Sequence, residues 1–232
     1  MPAGSLARVL ESIENVAGAG ARPAARLVAV GKGREAGEIS ALAAGWAGLR
    51  PGATLAFGEN YVQEAAAKIA ALEGSGIEWH LIGHLQSNKA AQAAALFDWV
   101  QSVDRPRLVA ALARARGPDQ PRLNVLIQVN VEGEAGKHGC VPGDVPALAA
   151  AIADEPTLVL RGLMAIPEPH PDPDHRRAAF AAMRRLHDAL RAANPDADTL
   201  SMGMSDDYAL ALAEGATMVR IGTALFGPRP AA

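Results

Sequence analysis

Several things are scarce in this chain of 232 residues. Its single cysteine, Cys140, cannot form an internal disulfide, which excludes a disulfide-built scaffold and suits a reducing compartment. Charge of either sign is close to balanced, and a formal net charge of −3 leaves no electrostatic footprint for nucleic acid. No apolar run approaches the roughly 20 residues that a membrane-spanning helix needs. The opening MPAGSLARVLESIENVAGAG is too polar and too helical in pattern for a secretory signal. Together these absences predict a soluble cytoplasmic protein with no nucleic-acid and no membrane partner. What is abundant is apolar: half of the residues, enough for a sizeable core.

Lysine is scarce as well. Only Lys32, Lys68, Lys89 and Lys137 occur. Lys32 lies in LVAVGKGR (27–34), where a short aliphatic run meets Gly31, Lys32 and Gly33. That pattern reads as a buried strand ending in a turn with one amine at its exit. A solvated lysine that merely follows a strand has the same signature.

The rest of the chain alternates between two periods. An amphipathic helix over 5–16 opens it, with Leu6, Val9, Leu10, Ile13 and Val16 three and four apart. Strands are predicted over 27–30, 54–57, 78–82, 99–103, 124–131, 158–166, 199–202 and 217–221. Helices are predicted over 35–48, 59–72, 87–96, behind Asp104, after Asp144, and over 174–193 and 205–214. Glu59 is expected to open its helix, Ser87 or Asn88 and then Asp104 to cap the next two, and Ser205 to sit at an N-cap. The Pro-rich segment 167–173 reads as a surface loop. Eight βα units in this length predict one closed (β/α)8 TIM barrel over 1–232 with an extra N-terminal helix. An open doubly wound sheet is the rival, but no G-x-G-x-x-G follows the first strand.

In such a barrel, chemistry collects where strands end, and phosphate commonly binds beyond strands seven and eight. Strand seven exits into Gly203-Met204-Ser205, and strand eight into Gly222-Thr223, so hydroxyls and glycines stand at both exits. Plain helix capping by Ser205 is the simpler account of either one alone. Between apolar Val219 and Ile221, Arg220 is predicted to point into the barrel. Barrel closure sets strand one beside strand eight, so Lys32 adjoins this anion-ready corner. A lysine there fits a Schiff base with a phosphorylated carbonyl compound, either pyridoxal phosphate or an aldolase-type sugar phosphate. Arg220 as partner of a pyridine nitrogen would leave that nitrogen unprotonated. Asn60 stands at the neighbouring exit of strand two. His80 and His84 are roughly 13 Å apart along a strand, too far to share a metal, and no metal centre is predicted. Lys137 and His138 either guard the mouth or belong to a solvated loop.

Six stretches carry a resemblance: LVAVGK (27–32), FGENYVQE (57–64), WHLIGHLQSNK (79–89), LIQVNVEGEAGKHG (126–139), RGLMAIP (161–167) and LSMGMSDDYALALAEGATMVRIGTALFG (200–227). In them the chain resembles the pyridoxal phosphate homeostasis protein family, whose fold looks like the barrel domain of alanine racemase. The resemblance implies pyridoxal 5'-phosphate as cofactor, held covalently by Lys32 as an aldimine. It also implies that Ser205, Gly222 and Thr223 hold its phosphate, with Arg220 near the pyridine nitrogen and Asn60 near the cofactor. Where the family usually reads S-K-T-K-P, this chain has Gly31-Lys32-Gly33-Arg34 and no nearby proline. Glycines on both sides predict a looser turn without hydroxyl contacts.

The resemblance further implies a binding, buffering and delivery role without robust turnover, with pyridoxal-phosphate-dependent apoenzymes as possible recipients. A racemase-like enzyme is the alternative. Racemisation needs a base on each face of the cofactor, and racemases take the second from a tyrosine of another domain. Here the only tyrosines, Tyr61 and Tyr208, fall near helix starts, and the chain ends soon after strand eight. By the same analogy a monomer is expected.

Overall fold

The computed structural model describes residues 2–20 and 24–228. Eight parallel strands close on themselves in chain order: β1 (Arg26–Val30), β2 (Ala56–Glu59), β3 (Glu78–Leu81), β4 (Trp99–Val103), β5 (Leu123–Gln128), β6 (Leu158–Met164), β7 (Thr199–Ser201) and β8 (Met218–Ile221). β8 pairs back onto β1, with Ala29 opposite Ile221. The helices are α1 (Pro2–Gly20), α2 (Ala36–Leu49), α3 (Val62–Ala71), α4 (Ala90–Leu96), α5 (Pro106–Ala115), α6 (Val145–Ala153), α7 (Pro173–Ala193), α8 (Tyr208–Ala213) and α9 (Thr223–Phe226). The closed barrel is therefore observed and the open sheet is not. No helix among the described residues is long and apolar enough to cross a membrane.

Strand alternation divides the core in two. Leu27, Ala29, Val219 and Ile221 face outward and join the layer between strands and helices. Val28, Ala56, Trp99, Leu126, Met164 and Met218 face inward and pack together at the barrel centre. Each helix docks through its apolar stripe. Ile39 and Leu42 of α2 are fully buried, each worth about 1.5–3 kcal/mol relative to exposure. Outside the alternation, α1 packs on α2, α8 and α9, so it bridges the first and last units.

Several expected boundaries move, each for a local reason. Glu59 does not open a helix. It ends β2, fully buried, because a buried ion pair with Lys68 outweighs the gain from a helix dipole. Ser87 and Asn88 lie in a 3-10 turn before α4 and give no capping bond. Asp104 does not cap α5 either; Arg105 holds that position ahead of Pro106, and Asp104 pairs with Arg105. Ser205 is likewise not an N-cap. α8 starts three residues later, and Asp207 accepts the Met204 N–H at 2.7 Å.

Candidate functional site

The exit of β1 is held from below by a small charged cluster. The Lys68 ammonium on α3 donates to the Gly31 carbonyl (2.6 Å), to Glu59 (2.8 Å) and to Glu64 (2.7 Å). Glu64 also accepts the Gly33 N–H at 2.7 Å, while Gly31 bonds the Gly58 carbonyl and Arg34 turns back onto Gly31. The turn is thus tied at every residue around Lys32, and the expected looseness is not found. The glycines have another cause. A Cβ on Gly31 would stand 2.4 Å from the Glu59 carboxylate, and Gly33 adopts φ +69. Burial lifts the Glu59 carboxyl to about 7, against the pull of Lys68. Burial also pushes Glu64 up, but Lys68 and the Gly33 N–H outweigh it and hold that carboxyl below its ordinary value.

Lys32 itself is half-buried and its Nζ lies 5.4 Å from the centre of the Tyr61 ring. Among the described residues its amine makes no hydrogen bond or ion pair, in contrast to the fully engaged Lys68. Arg34 fastens the same loop to the far end of the chain by donating to the carbonyls of Gly227 (2.5 Å) and Pro228 (3.2 Å).

Beside it, the exits of β7 and β8 meet. The Ser205 hydroxyl accepts the Ala224 N–H at 3.4 Å, which joins the two loops at the start of α9. Gly222 packs on β1, where an added Cβ would sit 3.3 Å from Val30. Gly203 has φ +91 and lies against Ala211, so the loop that carries Ser205 can follow this path only with glycine there. Ser205, Gly222, Thr223 and Lys32 therefore leave adjacent strands at one end of the barrel. A hydroxyl pair at a glycine-lined helix start suits a phosphate.

Below the mouth, Arg220 does point inward, as the alternation predicts. It starts a row of hydrogen bonds down the barrel. Arg220 donates to Ser201 (2.6 Å) and to the Ala165 carbonyl (2.9 Å); Ser201 donates to Gln101 (2.7 Å). The Gln101 amide reaches His80 Nδ1 (2.8 Å), and His80 Nε2 reaches Glu78 (2.6 Å), which also takes Arg26. Burial brings the Arg220 guanidinium down to about 10 and holds His80 below its usual value, so the imidazole is neutral and donates through Nε2. Burial acts to raise Glu78, but the His80 bond and Arg26 prevail and bring it to about 2.

Asn60 follows β2 and lines the mouth beside Gly83, whose added Cβ would collide with the Asn60 backbone. Tyr208 is directed away, bonded to Ser12 of α1. Sequence reasoning missed Glu59, Glu64 and Lys68, although Glu64 and Lys68 stand at ion-pair spacing on one helix. It also missed Gln101 and Ser201. Polar residues inside otherwise apolar strands were the available signal.

With this geometry in view, the chain can be set beside known proteins. It matches the family described as alanine racemase, N-terminal domain, over residues 5–230. It is 49% identical to the pyridoxal phosphate homeostasis protein of Pseudomonas aeruginosa over 227 residues, 97% of this chain and 94% of that protein. The protein of the same description from Pasteurella multocida is 44% identical over 231 residues, 97% of this chain and 96% of its own length. Among solved structures, PipY of Synechococcus elongatus is 36% identical, covering 98% of this chain and 100% of PipY. Its structure without PLP superposes with a TM-score of 0.85, and its structure with PLP bound with 0.82.

Proposed function

This chain belongs to the alanine racemase N-terminal domain family, among the pyridoxal phosphate homeostasis proteins, and on that premise we propose that it binds pyridoxal 5'-phosphate to buffer and deliver it. The observation that carries the reading is the uncommitted Lys32 amine beside the joined exits of β7 and β8. The cofactor supplies an aldehyde that condenses reversibly with an amine. Lys32 is the residue positioned to offer that amine. Ser205, Thr223 and the backbone at Gly222 bind phosphate, Arg220 stands below as a cationic donor, and Asn60 borders the ring side. Glu59, Glu64 and Lys68 keep the Lys32 turn in place.

We read the protein as a cytoplasmic carrier that acts as one domain and one monomer, handing its cargo to apoenzymes that need it. Catalytic turnover is not part of this reading. Tyr208 is spent on α1, and Tyr61 faces the Lys32 amine with its ring. No second base besides Tyr61 stands at the mouth among the described tyrosines. The test is absorbance: with pyridoxal phosphate the protein develops a band at about 420 nm that borohydride fixes on Lys32. Lys32→Ala loses the band. Unchanged spectrum and affinity in that variant would refute the assignment, and solvent-deuterium exchange at Cα of an amino acid would favour the racemase-like alternative.

A further inference from the structure

Three successive strand exits each bring one metal-ligating side chain to the same point. His84 follows β3, Asp104 follows β4, and His138 lies in the loop after β5. One ligand atom from each lies within 4.8 Å of the other two. The two imidazole rings stack at 3.6 Å with planes 11° apart, and His84 Nδ1 is 3.8 Å from Asp104 Oδ2. From this convergence we infer that the protein has a binding site for a divalent transition-metal ion, zinc by its donor set, at the rim of the barrel.

The chemistry of the three groups agrees with a cation. Imidazole binds a metal in its neutral form, through a ring-nitrogen lone pair. Nitrogen donors disfavour magnesium and calcium, whereas two imidazoles and a carboxylate suit zinc, cobalt and iron(II). Bonds of about 2.0–2.1 Å place donor atoms about 3.3 Å apart, so the stacked rings must splay apart for both lone pairs to meet one ion.

The surroundings orient the ligands. Arg105 engages Asp104 Oδ1 and leaves Oδ2 turned to His84, and Arg105 is itself held by the Leu85 carbonyl at 2.8 Å. The His138 carbonyl accepts from Gln128 of β5 at 3.2 Å, which fixes where its ring starts. Such outer contacts are typical of ligating residues. Three protein ligands would leave a position open to water or a further ligand, and His84 and His138 line a cavity of about 420 Å³ together with Asn60, Tyr61 and Lys89. A bound ion would cross-link the loops after β3, β4 and β5.

The experiment uses the full chain without a polyhistidine tag, stripped with chelator and free of pyridoxal phosphate. Titrated with Co²⁺, it should take up one equivalent with visible d–d bands, and Zn²⁺ should displace it. His84→Asn, Asp104→Asn and His138→Asn should each weaken uptake by at least about tenfold. In the unmodified protein, Zn²⁺ should move the NMR signals of the His84 and His138 imidazoles, a readout independent of how any variant folds. His170 and His175 also stack, at 4.1 Å, with His175 on Glu132, so His170→Asn is the control and should leave uptake unchanged. Absence of uptake, or loss in His170→Asn with retention in the other three, would overturn the inference.

Discussion

Replacing Lys68 with methionine keeps an unbranched side chain one atom shorter and removes one buried charge. Three bonds disappear, to Gly31, Glu59 and Glu64, from a side chain that is only 7% exposed. Glu64 reaches solvent and recovers part of its loss, whereas Glu59 is sealed in and its Oε2 already has no partner. Lost charge-assisted bonds cost about 1.5–3 kcal/mol each before relaxation, so the variant loses about 2–4 kcal/mol at pH 6–7. For a chain of this size that is about 5–15 °C in Tm.

The pH dependence is the sharper signature. In the native protein Glu59 titrates at about 7. A raised carboxyl contributes stability that is full below its unfolded value of 4.5 and is lost as pH rises to about 7, after which its contribution is flat. Without Lys68 the carboxylate has no cation, so Glu59 stays protonated above pH 7 and the loss continues at about 1.4 kcal/mol per pH unit. Between pH 7 and 8.5 the destabilisation of Lys68→Met should therefore grow by about 2 kcal/mol. Urea denaturation at closely spaced pH values measures it, and Lys68→Met/Glu59→Gln should abolish the slope. A destabilisation constant across this range, or a slope surviving Glu59→Gln, would refute the account of Glu59 as a buried group tethered by Lys68.

Three other perturbations follow from single residues. Gly203→Ala forces a Cβ to 2.5 Å from Ala211 at φ +91 and should cost about 1–3 kcal/mol while weakening pyridoxal phosphate binding; Gly37→Ala, in open space on α2, should gain about 0.5–1 kcal/mol by thermal melt. Glu78 stands at about 2, so its stabilising share is present above 4.5 and is lost as pH falls toward 2, about 3 kcal/mol in all. Glu78→Gln should flatten that acid limb in a pH series of urea unfolding curves.

The barrel was legible in the sequence because it rests on two local periods. Leu27 and Ala29 outside, Val28 inside, Arg220 between Val219 and Ile221: each follows from alternation alone. Glu59 was misplaced because its position depends on Lys68, nine residues on and nearly two turns into α3, and no local pattern reports a buried ion pair. The glycines around Lys32 looked like flexibility for the same reason. Gly31 abuts the Glu59 carboxylate of the neighbouring strand, and Gly33 gives its N–H to Glu64 on α3. Ser205 failed as a cap because α8 begins three residues on, at Tyr208, yet its hydroxyl still reached the start of α9. His84 was weighed only with His80 along one strand and set aside, since its neighbour at the rim, His138, comes from another loop.

The row from Arg220 to Glu78 has a consequence for how this barrel can change over generations. Its hydrogen bonds all run one way, each residue receiving from the previous and giving to the next. Gln101, like His80, needs both an acceptor and a donor on one planar head. Glutamate there would offer two acceptors to His80 Nδ1 and force the ring to flip or gain a proton beside Arg26. A single substitution is therefore a fault at two places, and tolerated changes must arrive as matched sets spread over β3, β4 and β7. Such a barrel drifts slowly along its axis while its outer helices are free to vary.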